Sequence, residues 1–343
     1  MRRIVNGILF EGKLSDTHLE VTVWEGNGHR EVSARPAVDW VEAEEPPRIG
    51  PPGMYVLDAH ERELEAAQLE RDAEERREAA RLRNARRAKT ACRRFIKVMG
   101  FDELLTLTYR ENVTDEAKVK DDARRFFRRM AELIPDFGYC AGYEPQARGS
   151  WHVHAAVYGL PKEVAVKKRA ADGTWRVVKL PGWRVGTAVW RSIVGKDNGL
   201  CFVGGKGARA KSARRSLAKM AGYVSKYITK HYELVPDGQQ RWTHSKGEQV
   251  PKSAQLRLRM SLREFIAFAM ARTSDNDSVV DARLGKFRDS YYLCTEDPSK
   301  NDGTLDISRI ALCPVDATHI ADKMNGDGVG HLTVNTRPVG NRR

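Results

Sequence analysis

Two short segments of this chain carry side chains that could do chemistry on a phosphodiester. The first is His152-Val153-His154, inside the run Trp151–Tyr158. On a strand, residues two apart point to the same side. Both imidazoles then project together, while Trp151, Val153 and Ala155 face the core. Two imidazoles on one face suit a divalent metal ion. Glu144 adds to them. If the turn at 145–150 closes a hairpin, pairing near 144 against 152 brings its carboxylate beside His152. Two histidines and one carboxylate leave coordination positions open for a phosphate oxygen and water. A tighter turn would offer Gln146 in place of Glu144.

The second segment is Gly222-Tyr223-Val224-Ser225-Lys226-Tyr227-Ile228-Thr229-Lys230. On a helix, Tyr223 and Tyr227 lie one turn apart on one face, and each is followed three residues later by a lysine, Lys226 or Lys230. A phenol with a pKa near 10 is a weak nucleophile at neutral pH, and a nearby ammonium or metal ion favours its phenolate. Attack on phosphorus would conserve the bond as a phosphotyrosine ester that a later strand end could reverse. The same spacing also suits an amphipathic helix with packed tyrosines and solvated lysines.

The elements that must position these residues follow from the flanking pattern. Leu104–Tyr109 alternates as a strand. Thr114 or Asp115 caps a helix running through Ala123, Phe126, Phe127 and Met130 to Leu133. Phe137–Glu144 and Trp151–Tyr158 are two strands joined by a hairpin-length loop. A basic insertion rich in Gly, Lys and Trp follows, then a helix over Thr187–Ile193, a strand over Leu200–Val203 and a helix over Ser212–His231. This predicts an α+β fold with an antiparallel sheet and flanking helices. Upstream, residues 58–98 are rich in Ala, Glu, Arg and Leu without Pro or Gly and predict a long helix, acidic at its start (Glu61, Glu63, Glu65, Glu70) and basic toward its end (Arg86, Arg87, Lys89, Arg93, Arg94). Residues 1–57 read as a small β-rich region. The chemistry-bearing domain spans 99–235. The remainder, 236–343, is turn-rich, with one helical stretch at Ala254–Ala271 and a Pro-, Gly- and Asn-rich tail.

Charge narrows the class of partner. The 343 residues hold 59 Lys and Arg against 46 Asp and Glu, a net +13. Residues 161–230 alone hold 17 basic residues and only Glu163, Asp172 and Asp197 as acids. Such one-sided charge beside the tyrosines points to a polyanion, either nucleic acid or an acidic membrane surface, and Trp175, Trp183 and Trp190 lie in the same stretch. Arg148, Lys206, Arg209, Lys211, Arg214 and Arg215 are the candidate DNA contacts. No apolar run approaches the roughly 20 residues of a membrane span, and no signal-peptide core follows the Met-Arg-Arg start, so a soluble, cytoplasmic protein with no membrane partner is expected. The five scattered cysteines exclude a zinc ribbon and read as buried thiols. Leu200–Gly207 is glycine-rich, but it lacks the spacing of a phosphate loop and has Gly207 where Mg²⁺ binding needs Ser or Thr, which excludes an NTPase motor.

Taken together, Leu104–Tyr109, Glu144–His154 and Gly222–Lys230 resemble the three motifs of the HUH endonuclease superfamily. Within it they are most similar to the two-tyrosine rolling-circle initiators of filamentous and small single-stranded DNA phages and related plasmids. Trp190–Val194 followed by Leu200–Val203 also fits, and the resemblance covers roughly residues 85–235. It implies a ferredoxin-like antiparallel sheet with the histidine strand central and the tyrosine helix beside it. It further implies use of Mg²⁺ or Mn²⁺, with His152 and His154 as ligands and Glu144 as the third. Tyr223 and Tyr227 would be nucleophiles, and Lys226 and Lys230 would activate them or contact the scissile phosphate. The substrate would be single-stranded origin DNA in the cytoplasm of a bacterial host, with a host helicase and replication machinery as partners. A relaxase or single-strand transposase would share the metal site, although the transposases typically use one tyrosine. A non-catalytic nucleic-acid-binding protein would need only the charge and the aromatics.

Overall fold

The computed structural model describes residues 2–5, 8–43, 59–204, 217–230, 240–273 and 278–296. In chain order the elements are β1 (Arg2–Val5), β2 (Ile8–Gly26), β3 (His29–Glu42), α1 (Ala59–Met99), β4 (Glu103–Thr108) and α2 (Glu116–Leu133). There follow β5 (Gly138–Pro145), β6 (Trp151–Tyr158), β7 (Glu163–Arg169), β8 (Trp175–Pro181), α3 (Gly182–Val194) and β9 (Leu200–Val203). The last are α4 (Leu217–Lys226), β10 (Trp242–His244), β11 (Ala254–Arg259), α5 (Leu262–Ala271), β12 (Ser278–Leu284) and β13 (Tyr291–Glu296). The fold is α+β, its paired strands all antiparallel, and it divides into two compact units, Glu63–Val250 and the two ends of the chain, Met1–Arg62 with Pro251–Arg343.

The central unit is built on a five-stranded sheet in the order β10-β5-β6-β4-β9. Its segment β4-α2-β5-β6-α3-β9 is a βαββαβ unit with the strand order of a ferredoxin-like fold. β6, the histidine strand, is in the middle. The basic insertion expected after β6 forms a separate two-stranded ribbon, β7 with β8. One face of the sheet is covered by α2 and α3. There Leu105, Leu107, Val153, Ala155 and Val157 pack with Phe126, Phe127 and Trp190 in one buried cluster. Asp115 caps α2 by accepting from the backbone N–H of Ala117 and Lys118. The other face carries Leu104, Cys140 and Ala156 against Cys92, Phe95 and Ile96 of α1 and Met220, Ala221 and Val224 of α4. Only the second half of α1 carries this apolar stripe, at 92, 95, 96 and 99. Cys92, Cys140, Cys201 and Cys294 are buried, and Cys313 lies outside the described residues.

In the other unit, strands from both ends of the chain share a six-stranded sheet ordered β1-β2-β3-β13-β12, with β11 on β2. Helix α5 covers one face, packing Phe265 and Ala269 on Leu19, Val21, Val32 and Leu293. Sequence reading of Ala254–Ala271 as one helix is corrected here: the stretch is strand β11 followed by α5. The reason is local. Gln255-Leu256-Arg257-Leu258-Arg259 alternates with period two, and Ser261 with Glu264 forms a capping box that starts the helix anew. Among the described residues no helix is long and apolar enough to cross a membrane.

Candidate active site

The site lies on the α1/α4 face of the five-stranded sheet and begins with strand register. The β5–β6 turn is closed by Gln146 N–H to the Ser150 carbonyl at 2.8 Å and Gly149 N–H to the Gln146 carbonyl at 2.8 Å. Gly149 takes φ +84°, the left-handed region that glycine enters without penalty. This turn fixes Glu144 opposite His152 and Gly142 opposite His154. On the other side of β6, Thr106 of β4 stands opposite His154. The expected pairing of 144 with 152 is therefore the one found. A slip of β6 by one residue would turn both histidines into the α2/α3 core.

The side chains pair off along this face. His154 is 5% exposed, and its Nε2 lies 2.8 Å from Glu144 Oε2 while its Nδ1 lies 3.2 Å from the Thr106 hydroxyl. Lys230 Nζ reaches the other Glu144 oxygen at 2.7 Å. His152 Nδ1 is 2.9 Å from Gln146 Nε2. Burial pushes the Glu144 carboxyl up, but the hydrogen bonds from Lys230 and His154 outweigh it and hold it below the usual carboxylate range. Burial lowers both imidazoles, against the pull of Glu144. An ionised Glu144 can only accept, so a neutral His154 donates Nε2–H to it and accepts the Thr106 O–H at Nδ1.

The tyrosines meet this row from α4. Gly142 admits the helix: a Cβ there would stand 3.2 Å from the Val224 carbonyl oxygen. The α-helical bonding ends at Lys226, short of the expected His231, and continues as tighter turns from Ile228 N–H to Ser225 and from Thr229 N–H to Lys226. Tyr223 thus sits in the last turn of α4 and Tyr227 just past it. The Tyr227 ring stacks on His154 with centroids 4.4 Å apart and planes 13° apart. Tyr223 meets His154 edge-on at 5.6 Å and Tyr227 at 5.4 Å. Tyr227 is 5% exposed, and burial pushes its phenol well above the ordinary range, helped by its hydrogen bond with Tyr223 and the Glu144 charge. Tyr223 is half-buried. The lysines do not divide evenly between them. Lys226 Nζ stands 4.4 Å from the Tyr223 ring centre and 4.8 Å from that of Tyr227, whereas Lys230 is tied to Glu144 and stands farther off, 6.0 Å from the Tyr227 ring centre.

The structure thus brings His152, His154, Glu144, Tyr223, Tyr227, Lys226 and Lys230 together on one face. Two imidazoles and a carboxylate are a donor set suited to a divalent cation. As placed, no three His, Cys, Asp or Glu side chains among the described residues stand close enough to hold one. Arg148 is exposed in the β5–β6 turn, and Lys206, Arg209, Lys211, Arg214 and Arg215 lie outside the described residues. Two residues went unnoticed in sequence: Thr106, which sets the His154 hydrogen, and Gly142, which seats α4. The Leu–Thr alternation of β4 places Thr106 on a face but says nothing of its partner.

Residues 102–232 match the family model described as replication-associated protein ORF2, less than half of the chain but the part that holds this whole cluster up to Lys230. That match supports a phage or plasmid replication initiator acting on DNA. No curated protein and no solved structure matches the chain.

Proposed function

We propose that this protein is a rolling-circle replication initiator of the HUH, two-tyrosine type, which nicks single-stranded origin DNA and remains joined to its 5′ end. The observation that carries the reading is the cluster itself: Tyr227 stacked on His154, Tyr223 edge-on to both, and Lys226 over the two phenol rings. In the reaction a tyrosine oxygen bonds to the scissile phosphorus and the bond from phosphorus to the 3′ oxygen breaks. The phenolic proton is lost, the departing 3′ oxygen gains one, and a 5′-phosphotyrosine ester remains. Lys226 places positive charge where both phenols and the phosphate must meet. Lys230 orients Glu144, and Glu144 with Thr106 decides which nitrogen of His154 carries the hydrogen. Because the Thr106 hydroxyl can switch from donor to acceptor, His154 Nε2 can present a lone pair in place of its N–H. Mg²⁺ or Mn²⁺ would supply Lewis-acid polarisation of the phosphate if His152, His154 and Glu144, which as placed do not close on a cation, drew together to hold it. Host helicase and replication machinery would open the duplex and extend the 3′ end.

The test is a denaturing gel for a covalent protein–oligonucleotide adduct, using single-stranded DNA that carries the origin of the replicon encoding the chain. Wild type with Mn²⁺ should give the adduct, chelator should abolish it, and the Y223F/Y227F double variant should give none. An adduct formed by the double variant would remove these tyrosines from the chemistry. DNA binding with no adduct under any metal would leave a non-catalytic binding protein.

A further inference from the structure

Among the described residues strand β9 lies at one edge of the five-stranded sheet, and its residues alternate between the two faces. Cys201 is buried, and it and the partly buried Val203 pack in the α2/α3 core. Leu200 and Phe202 therefore turn to the face that carries the histidines, where they are 40% and 52% exposed. Strand register locates Phe202 relative to the site. It is opposite Thr106, and Thr106 is opposite His154, so His154, Thr106 and Phe202 form one row across β6, β4 and β9. Leu200 is opposite Thr108, one step along the same face. Two strand spacings set Phe202 about 10 Å from His154. A large aromatic ring half open to water, beside a polar row rather than a core, is poorly explained by packing.

We propose that Phe202, backed by Leu200, is a nucleobase-stacking subsite that holds one unpaired base of the strand flanking the scissile phosphate. The assignment rests on the nicking reaction proposed above for its substrate class, and on the register and exposure for its position. Single-stranded nucleic acid is gripped by cations along its backbone and by aromatic faces under its bases. The row supplies both: Lys226 sits at the phosphate end beside His154, and the Phe202 ring is at the far end. Thr106 is too short to stack and leaves the strand a shallow path between them. A ring at this position would orient the strand across the sheet without reading its sequence, since every base has a flat face.

The experiment compares the full-length chain with F202A, F202L and F202W in binding to two fluorescently labelled probes of equal length. One is a mixed-sequence single strand and the other an abasic deoxyribose-phosphate strand. F202A and F202L should weaken binding to the base-bearing strand by roughly 5- to 100-fold, with F202W near wild type. None of the three should change binding to the abasic strand. Equal affinities of wild type and F202A for the base-bearing strand, or an equal loss on both probes, would overturn the subsite. So would rescue by Leu to the level of Trp, which would show bulk rather than stacking. Adduct formation by wild type, measured in parallel, separates this outcome from failure of the nicking reaction.

Discussion

The two faces of the five-stranded sheet are made from the same strands and differ in what they tolerate. Toward α2 and α3 the inward residues of β4 and β6, Leu105, Leu107, Val153, Ala155 and Val157, are all apolar and buried. Toward α1 and α4 the strands begin alike, with Leu104, Cys140 and Ala156, but two residues further along each strand the pattern changes to Thr106, Gly142 and His154, and then to Glu144 and His152. Helix α4 follows the same gradient. Its Met220, Ala221 and Val224 cover the apolar end, and Tyr223 and Tyr227 reach the polar one. One face is a core throughout; the other is core at one end and chemistry at the other. The lesson is that β6 needs no special backbone to host a site: period-two alternation lets one strand hold the fold with its odd residues and the site with its even ones.

The widest separation between the faces should come from removing one large residue on each. Trp190 is fully buried, donates Nε1–H to the Thr108 carbonyl at 2.9 Å and packs edge-on against Phe126. Trp190→Ala should cost about 3–5 kcal/mol in denaturant unfolding, through lost burial, a cavity and an unpaired carbonyl. The H152A/H154A double variant should instead abolish metal-dependent nicking, leave most single-strand affinity and cost well under half as much stability. Comparable losses of stability from both would mean the histidine face is also core.

A subtler break uses the glycine under the helix. A methyl at position 142, opposite His154, meets the Val224 carbonyl at 3.2 Å, so α4 must give there by a few tenths of an ångström. Gly142→Ala should cost on the order of 1 kcal/mol in stability. It should slow adduct formation about tenfold with little change in strand affinity, because misplacing a nucleophile by a fraction of an ångström is felt mainly in the chemical step. An unchanged rate of adduct formation would show that the tyrosines are positioned by something other than the seat of α4.

Much of this contrast was legible in the sequence, and the parts that were not share a cause. Trp151–Tyr158 and Leu200–Val203 were bounded correctly because their alternation and flanking turns are local signals. The 144–152 pairing followed from a hairpin too short to allow many registers. Thr106 and Gly142 were not legible as site residues, because their meaning depends on pairing or packing with residues far away in sequence. The Thr106–His154 contact spans 48 positions. The same holds for the sheet formed from both chain ends, where β2 pairs with β11 and β3 with β13. Local pattern says that a segment is a strand; it does not say whose neighbour it is. The helix end at Lys226 was missed for the opposite reason: nothing in Tyr227-Ile228-Thr229-Lys230 forbids helix, and the tighter turn there coincides with Tyr227 stacked on His154 and Lys230 held by Glu144.

The expectations most informative about mechanism come from the single tyrosine variants. Equal spacing to Lys226 and Lys230 suggested equivalent phenols, but the structure makes them unequal. Lys226 serves both rings, Lys230 is engaged by Glu144, and Tyr227 lies under His154 while Tyr223 stands half open. Tyr223 is the more accessible phenol, and Tyr227 would meet a phosphate only once its ring left the imidazole. In the proposed rolling-circle reaction such an order would be useful: the first cleavage would leave one tyrosine esterified for a whole round, and a second nucleophile would then cut the regenerated origin so that the freed 3′ hydroxyl could close the circle. Tyr223→Phe should therefore slow the first adduct the more, by roughly tenfold relative to Tyr227→Phe, since a less accessible phenol must do the work of a better placed one. Tyr227→Phe should form its first adduct at close to the wild-type rate and then stall, giving single nicks but few closed circles. Both should retain some oligonucleotide cleavage, and neither should sustain repeated rounds. Time courses of adduct formation and circle release on the same DNA distinguish the two. If Tyr227→Phe is the slower of the pair at the first cut, access does not set the order; if either variant supports normal repeated rounds, the second tyrosine is a packing residue on a one-tyrosine enzyme.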